Sequence, residues 1–164
     1  FVALYIGAPF LALIWLRSAE PFGQMLTFLV LASALSAYIV SFLAGNLFKG
    51  PKLWPQFSPN KTWSGFFGGL IAATLAAATV AHIWSLLHAE QLSTTKALMV
   101  GAFAGLATMA GDLWESMLKR RLGVKDSGGL IPGHGGLLDR VDGLMFAILA
   151  VAAARLIVNL GWPH

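Results

Sequence analysis

Residues 63–87 read WSGFFGGLIAATLAAATVAHIWSLL, 25 residues without one Asp, Glu, Lys or Arg. A helix crossing the hydrocarbon core of a bilayer needs about 20 consecutive apolar residues, and this stretch exceeds that length. Four more segments follow the same pattern, roughly 2–16, 25–48, 97–118 and 140–161, of which the first is short. The whole chain of 164 residues is 57% hydrophobic and 11% charged, with a mean hydropathy of +0.74. A soluble domain carries about 25% charged residues. The expected fold is therefore all-α, a polytopic integral membrane bundle of about five transmembrane helices. A single transmembrane domain over 1–164 accounts for it. The chain opens on Phe1 rather than Met, which points to a fragment of a longer protein. The absence of Cys excludes disulfides and thiolate metal sites.

The connections fall at about 17–24, 49–62, 88–96 and 119–139. Positive charge is concentrated in two of them. Residues 49–62 hold Lys49, Lys52 and Lys61, and the connection after the fourth span holds Arg120, Arg121 and Lys125, with Lys119 and Arg140 at its edges. With five spans these two connections lie on one side, and positive charge marks it as cytoplasmic. Gly65 and Gly69 form a GxxxG pair, as do Gly101 and Gly105. Such pairs let helix backbones approach closely, inside one chain or across a homodimer. Most of the Trp residues, at 15, 54, 63, 84, 114 and 162, stand near span ends, where they anchor at the interface.

The chemistry is expected in SMLKRRLGVKDSGGLIPGHGGLLDRVDG, residues 116–143, with Asp112 just before it. A carboxylate within a span is costly and marks a functional site or a structural ion pair. Asp112, Ser116 and Lys119 are spaced i, i+4, i+7 and share a helix face, while Glu115 lies only partly on it. A glycine-rich stretch follows, including Gly128, Gly129, Gly133, Gly135 and Gly136. With Lys119, Arg120, Lys125 and His134 around it, exposed amides there suit phosphate. No GxxxxGK[ST] pattern occurs, so this is not a Walker A loop. Asp139 and Asp142 flank Arg140 at the start of the fifth span. If Asp139 meets Asp112 across the helix pair, the two carboxylates make a hard-oxygen site for Mg²⁺. Upstream, SPNKTWSG (58–65) places Lys61 and Thr62 where the third span enters the bilayer, and Ser58 is positioned to cap it.

The pattern S-x-x-K-R-x4-K-D-x-G-x-x-I-P-G-H-G-G-x-x-D-R-x-D, from Ser116 to Asp142, resembles the signature of the phosphatidate cytidylyltransferase (CDP-diacylglycerol synthase) family. Gly111-Asp112 and the upstream SPNKTW, with Gly68-Gly69, strengthen the resemblance. It covers essentially the whole chain as the C-terminal part of a family member, with 111–142 as the catalytic region. The resemblance implies that CTP and phosphatidic acid yield CDP-diacylglycerol and pyrophosphate, in phospholipid biosynthesis. It implies Mg²⁺ held by Asp112 and Asp139, alongside a monovalent cation such as K⁺. It extends the polar site to Ser58, Lys61, Thr62, Ser116, Lys119, Arg120, Lys125, Asp126, His134, Arg140 and Asp142, with Gly133, Gly135 and Gly136 approaching a phosphate. The partners implied are nucleotide and lipid, with no nucleic acid, and a bacterial source would place the site on the cytoplasmic face of the inner membrane.

One stretch departs from the family. D-x-G-A-Y-x-x-G-R, aligned on Gly45, meets Tyr38 at the aspartate, Phe42 at the tyrosine and Asn46 at the arginine. An acidic and a basic group are thus missing from the second span. A catalytically degenerate homologue, a lipid-binding or ion-transporting membrane protein, and a CTP-dependent polyprenol kinase remain the alternatives.

Overall fold

The computed structural model describes residues 2–88, 92–121, 123 and 138–161. Its helices are α1 (Val2–Ser18), α2 (Gly23–Phe48), α3 (Trp63–Leu87), α4 (Thr94–Arg121) and α5 (Leu138–Gly161), and each end lies within three residues of the expected one. Between α2 and α3 runs a hairpin of β1 (Lys52–Trp54) and β2 (Ser58–Thr62). The protein is an all-α polytopic membrane protein. Helices α2 to α5 are long and apolar enough to cross a bilayer. Helix α1 is 17 residues long, or about 26 Å at 1.5 Å per residue, which falls below that length.

Lipid tails are as apolar as leucine, so helices in a membrane associate through close packing rather than hydrophobic burial. The seams here are built from small residues. A Cβ added at Gly69 would stand 2.8 Å from the Ala37 carbonyl oxygen of α2 and 2.5 Å from Met109 Cε of α4. One at Gly65 would lie 2.6 Å from the Ser41 carbonyl oxygen. Gly101 and Gly105 of α4 fit against Ala73 and Ala77 of α3 in the same way, with a Cβ at Gly101 only 2.5 Å from Ala77 Cβ. Both GxxxG pairs are therefore filled from within the chain. One buried polar contact joins the same helices, where Ser33 Oγ donates to the Ala73 carbonyl at 3.1 Å. Large side chains such as Leu47, Phe42, Ile71 and Leu86 point outward instead. At the far end, Arg155 of α5 donates to the carbonyls of Ala19 and Pro21, at 2.7 and 2.6 Å, and ties down the α1–α2 connection.

The hairpin replaces the irregular connection expected at 49–62. Lys52 pairs with Thr62 and Trp54 with Ser58, with an irregular register between them. The Trp63 N–H donates to the Pro51 carbonyl at 3.1 Å and closes its base. Trp54 and Phe57 meet edge to face at 5.3 Å across its tip. Ser58 does not cap α3 as expected; it is buried in β2. Pro59 disfavours a helical conformation in the residue before it, so the chain stays extended until Thr62. Thr62 (φ −121°, ψ 156°) is the cap, its Oγ1 accepting from the Gly65 N–H at 3.2 Å.

Two outcomes follow for thermal unfolding in detergent. Gly69→Val forces α2 and α4 away from α3 and lowers stability by about 1–3 kcal/mol, while Gly7→Ala, with nothing within 4 Å of the new Cβ, does not lower it. Thr62→Ala removes the α3 cap and costs about 1 kcal/mol.

Candidate functional site

The polar residues converge at one end of the bundle, where α2 ends, the hairpin folds, α3 begins and α4 ends. Asp112 of α4 accepts a salt bridge from Lys61 Nζ of β2 at 2.7 Å. Ser116, one turn on, donates its Oγ to the Asp112 carbonyl at 2.8 Å and accepts from Lys61 Nζ at 3.5 Å. An ammonium, a carboxylate and a hydroxyl from segments far apart in sequence thus form one cluster.

A second group adjoins it. Lys119 Nζ pairs with Glu115 Oε2 at 3.1 Å, so the i, i+4 partner on its own helix holds it rather than Asp112. Glu115 and Asp142 are 5% and 4% exposed. Asp142 packs against Glu115 and lies within electrostatic reach of Asp112 and Lys61. Its Oδ1 accepts from the Gly143 N–H at 2.6 Å, while Oδ2 is buried without an ammonium, amide or hydroxyl donor among the described residues. Tyr5 of α1 reaches the same group, within electrostatic range of Glu115, Asp142 and Lys119.

Glycines beside the carboxylates make this convergence possible. A Cβ at Gly111 would stand 2.7 Å from the Phe146 side chain, and one at Gly143 would stand 2.7 Å from the Thr108 carbonyl oxygen. The α4–α5 seam is thus tight beside Asp112 and Asp142. The sequence puts Glu115 only partly on the Asp112 face, yet a carboxylate three residues from Asp112 within a span carries the same signal as Asp112 itself. Nothing in the sequence points to Tyr5, which only the packing of α1 brings there.

A cleft of about 860 Å³ opens at this end, walled by α2, the hairpin, α3 and α4. Lys49, Lys52, Lys61, Thr62 and Asp112 line it, and so do Tyr38, Phe42 and Asn46, the three positions that depart from the family stretch. A smaller cavity of about 120 Å³ between α2, α4 and α5 is also lined by Asp112 and shares Tyr38, Ser41 and Met109 with the cleft.

Of the expected site residues, Lys61, Asp112 and Ser116 come together, and Lys119 and Asp142 stand in the adjoining cluster. Thr62 lines the cleft, and Arg120 is exposed at the end of α4. Lys125, Asp126, Gly133, His134, Gly135 and Gly136 lie outside the described residues, as do the side chains of Asp139 and Arg140. No group of three His, Cys, Asp or Glu residues close enough to hold a metal ion occurs among the described residues. The donor chemistry nonetheless fits a hard cation. Asp112, Glu115 and Asp142 gather hard oxygen donors beside Lys61 and Lys119, the ligand chemistry that suits Mg²⁺.

The family model described as "Cytidylyltransferase family" matches residues 1–158. A phosphatidate cytidylyltransferase of Brucella abortus (biovar 1, strain 9-941) is 42% identical over 157 residues, covering 96% of this chain and 54% of the relative. The phosphatidate cytidylyltransferase of Bacillus subtilis (strain 168) is 36% identical over 146 residues, 89% of this chain and 53% of the relative. The uncharacterized protein YnbB of Escherichia coli (strain K12) is 40% identical over 124 residues, 76% of this chain and 40% of the relative. The chain thus spans about half the length of the curated phosphatidate cytidylyltransferases it matches. With the signature, the cluster at Asp112 and a family match over nearly every residue, this chain belongs to the cytidylyltransferase family.

Proposed function

We propose that this chain carries the catalytic half of a CTP:phosphatidate cytidylyltransferase, which forms CDP-diacylglycerol and pyrophosphate. The observation that carries the reading is the Lys61–Asp112–Ser116 cluster. It joins the two stretches on which the family resemblance rests, SPNKTW and the 111–142 region, at a cleft rimmed by lysines.

In this reading a phosphate oxygen of phosphatidate attacks the α-phosphorus of CTP. The α–β bridging bond breaks and pyrophosphate leaves. The lipid supplies the nucleophile, so the protein has to position two anions and stabilise charge. Lys61 and Lys119 bring ammonium groups to the site and hold carboxylates when no phosphate is present. A desolvated ammonium at the membrane boundary stabilises a transferring phosphoryl group far more than one in water. Ser116 accepts from Lys61 Nζ at 3.5 Å and helps to orient it. Asp112 and Asp139 would hold Mg²⁺, with a monovalent cation such as K⁺ nearby, and the ion would screen the phosphate charges as they approach. The site faces the cytoplasm in this reading, since the basic hairpin and the basic end of α4 share its side. In a bacterial source the membrane is the inner one.

Tyr38 and Asn46 on the cleft wall favour one rival, a homologue that binds without turnover. The discriminating experiment is incorporation of labelled CTP into chloroform-soluble lipid by purified protein with phosphatidic acid. Product that depends on both Mg²⁺ and phosphatidate is expected, and EDTA abolishes it. A folded sample that binds CTP but forms no lipid product rejects the enzyme. Asp112→Asn is expected to lower turnover by about 100-fold or more while the thermal midpoint holds, and near-parental turnover would remove Asp112 from the metal role. Lys61→Met is expected to lower turnover by a similar factor, because it removes an ammonium from the reacting phosphates.

A further inference from the structure

Helix α4 ends on three consecutive basic residues, Lys119, Arg120 and Arg121. Arg120 and Arg121 are exposed. That is the ordinary course of a long cationic side chain at a membrane boundary, where the stem lies on apolar surface and the charge reaches water. Lys119 turns the other way. Its side chain is only 18% exposed, and its ammonium donates to Glu115 Oε2 at 3.1 Å. Helical side chains lean toward the N-terminus of their helix, so Lys119 comes back over the residue one turn earlier. A glutamate four residues before a lysine is also the favourable order for such a pair.

Glu115 is itself held between three helices. Its side chain is 7% exposed. Asp142 of α5 is in side-chain hydrogen-bond contact with it, and Tyr5 of α1 lies within electrostatic range. Desolvating a carboxylate and an ammonium costs much of what their attraction returns, so a buried pair contributes little net stability. Such a pair at membrane depth is explained by what it fixes in place. Here it fixes Lys119, whose ammonium would otherwise go out to water beside Arg120 and Arg121.

We propose that Glu115 is a positioning residue for cytidylyl transfer. It draws the Lys119 ammonium back toward the Asp112 cluster and keeps it desolvated until a substrate phosphate takes it over. Glu115 touches no reacting atom and acts only through Lys119. The catalytic consequence rests on the cytidylyltransferase reading, and the hold on Lys119 does not.

The test uses the full chain in lipid nanodiscs and a water-soluble amine-acylating ester, with acylation of each lysine followed by mass spectrometry. Lys119 is expected to react about tenfold more slowly than the exposed Lys96, the weight of one charge-assisted hydrogen bond. Glu115→Gln keeps the size of the side chain and lets an amide donate to Asp142, so the thermal midpoint holds. In this variant Lys119 is expected to react as fast as Lys96, with the rate at Lys61 unchanged. Turnover of CTP with phosphatidic acid is expected to fall about tenfold. Lys119→Gln lowers it about 100-fold, and adding Glu115→Gln to Lys119→Gln lowers it no further. Protection of Lys119 that is absent from the parent, or that survives Glu115→Gln, overturns the proposal. So does parental turnover in Glu115→Gln. Losses that multiply in the double variant overturn it as well, because Glu115 would then serve a cation or the fold directly. Acylation needs no turnover, so the two readings fail separately. A parent that forms no CDP-diacylglycerol loses the enzyme reading while Lys119 acylation still decides the hold, and an active parent whose Lys119 stays protected in Glu115→Gln loses only the positioning role.

Discussion

Everything at the polar end depends on how closely the helix backbones approach. In lipid no water-driven force pulls apolar helices together, and contact has to come from fit. Gly65 and Gly69 bring α3 onto α2, Gly101 and Gly105 bring α4 onto α3, and Gly111 and Gly143 bring α5 onto α4. The last pair matters most for chemistry, because each glycine is the neighbour of a carboxylate, Asp112 or Asp142. A methyl group at either position would meet another helix at under 3 Å, and the acidic cluster would open.

Close packing creates an electrostatic problem that the same residues resolve. Asp112, Glu115 and Asp142 are gathered in a region where isolated charge is expensive. Lys61 answers Asp112 at 2.7 Å and Lys119 answers Glu115 at 3.1 Å. The two lysines have different origins. Lys119 is supplied by the helix it stabilises, while Lys61 arrives on the hairpin, so the folding of residues 52–62 is part of building the site.

The hairpin also explains how a strip of membrane surface becomes a cleft. Pro59 keeps β2 extended, Thr62 starts α3, and the Trp63 N–H to Pro51 bond holds the strand base beside the end of α2. The space left between α2, the hairpin and α4 is the cleft with Lys49 on its rim. Tyr38 and Asn46, where the family stretch has an acidic and a basic residue, fall on its wall rather than in the Asp112 cluster. The departures alter the surface that meets a ligand and leave the ion pairs of the described site intact.

Much was legible in the linear chain. Runs without charge mark spans because a bilayer admits little else, so α2 to α5 are found to within three residues, and the segregation of lysine and arginine places the hairpin and the end of α4 on one side. Asp112, Ser116 and Lys61 were legible because intramembrane polar groups are too costly to stand without a role. Other features were not. Strand pairing in 52–62 depends on a register between short segments that carry no alternating pattern. The choice of Glu115 over Asp112 as the partner of Lys119 depends on which carboxylate Lys61 reaches first. Tyr5 depends on where α1 packs. The glycine pairs announce close approach but do not name the partner, and here the partners are α2, α3 and α4 of the same chain. Hydropathy and charge act on each segment alone and are written in its composition; which side chains meet depends on distances between segments, and only the packed structure sets those.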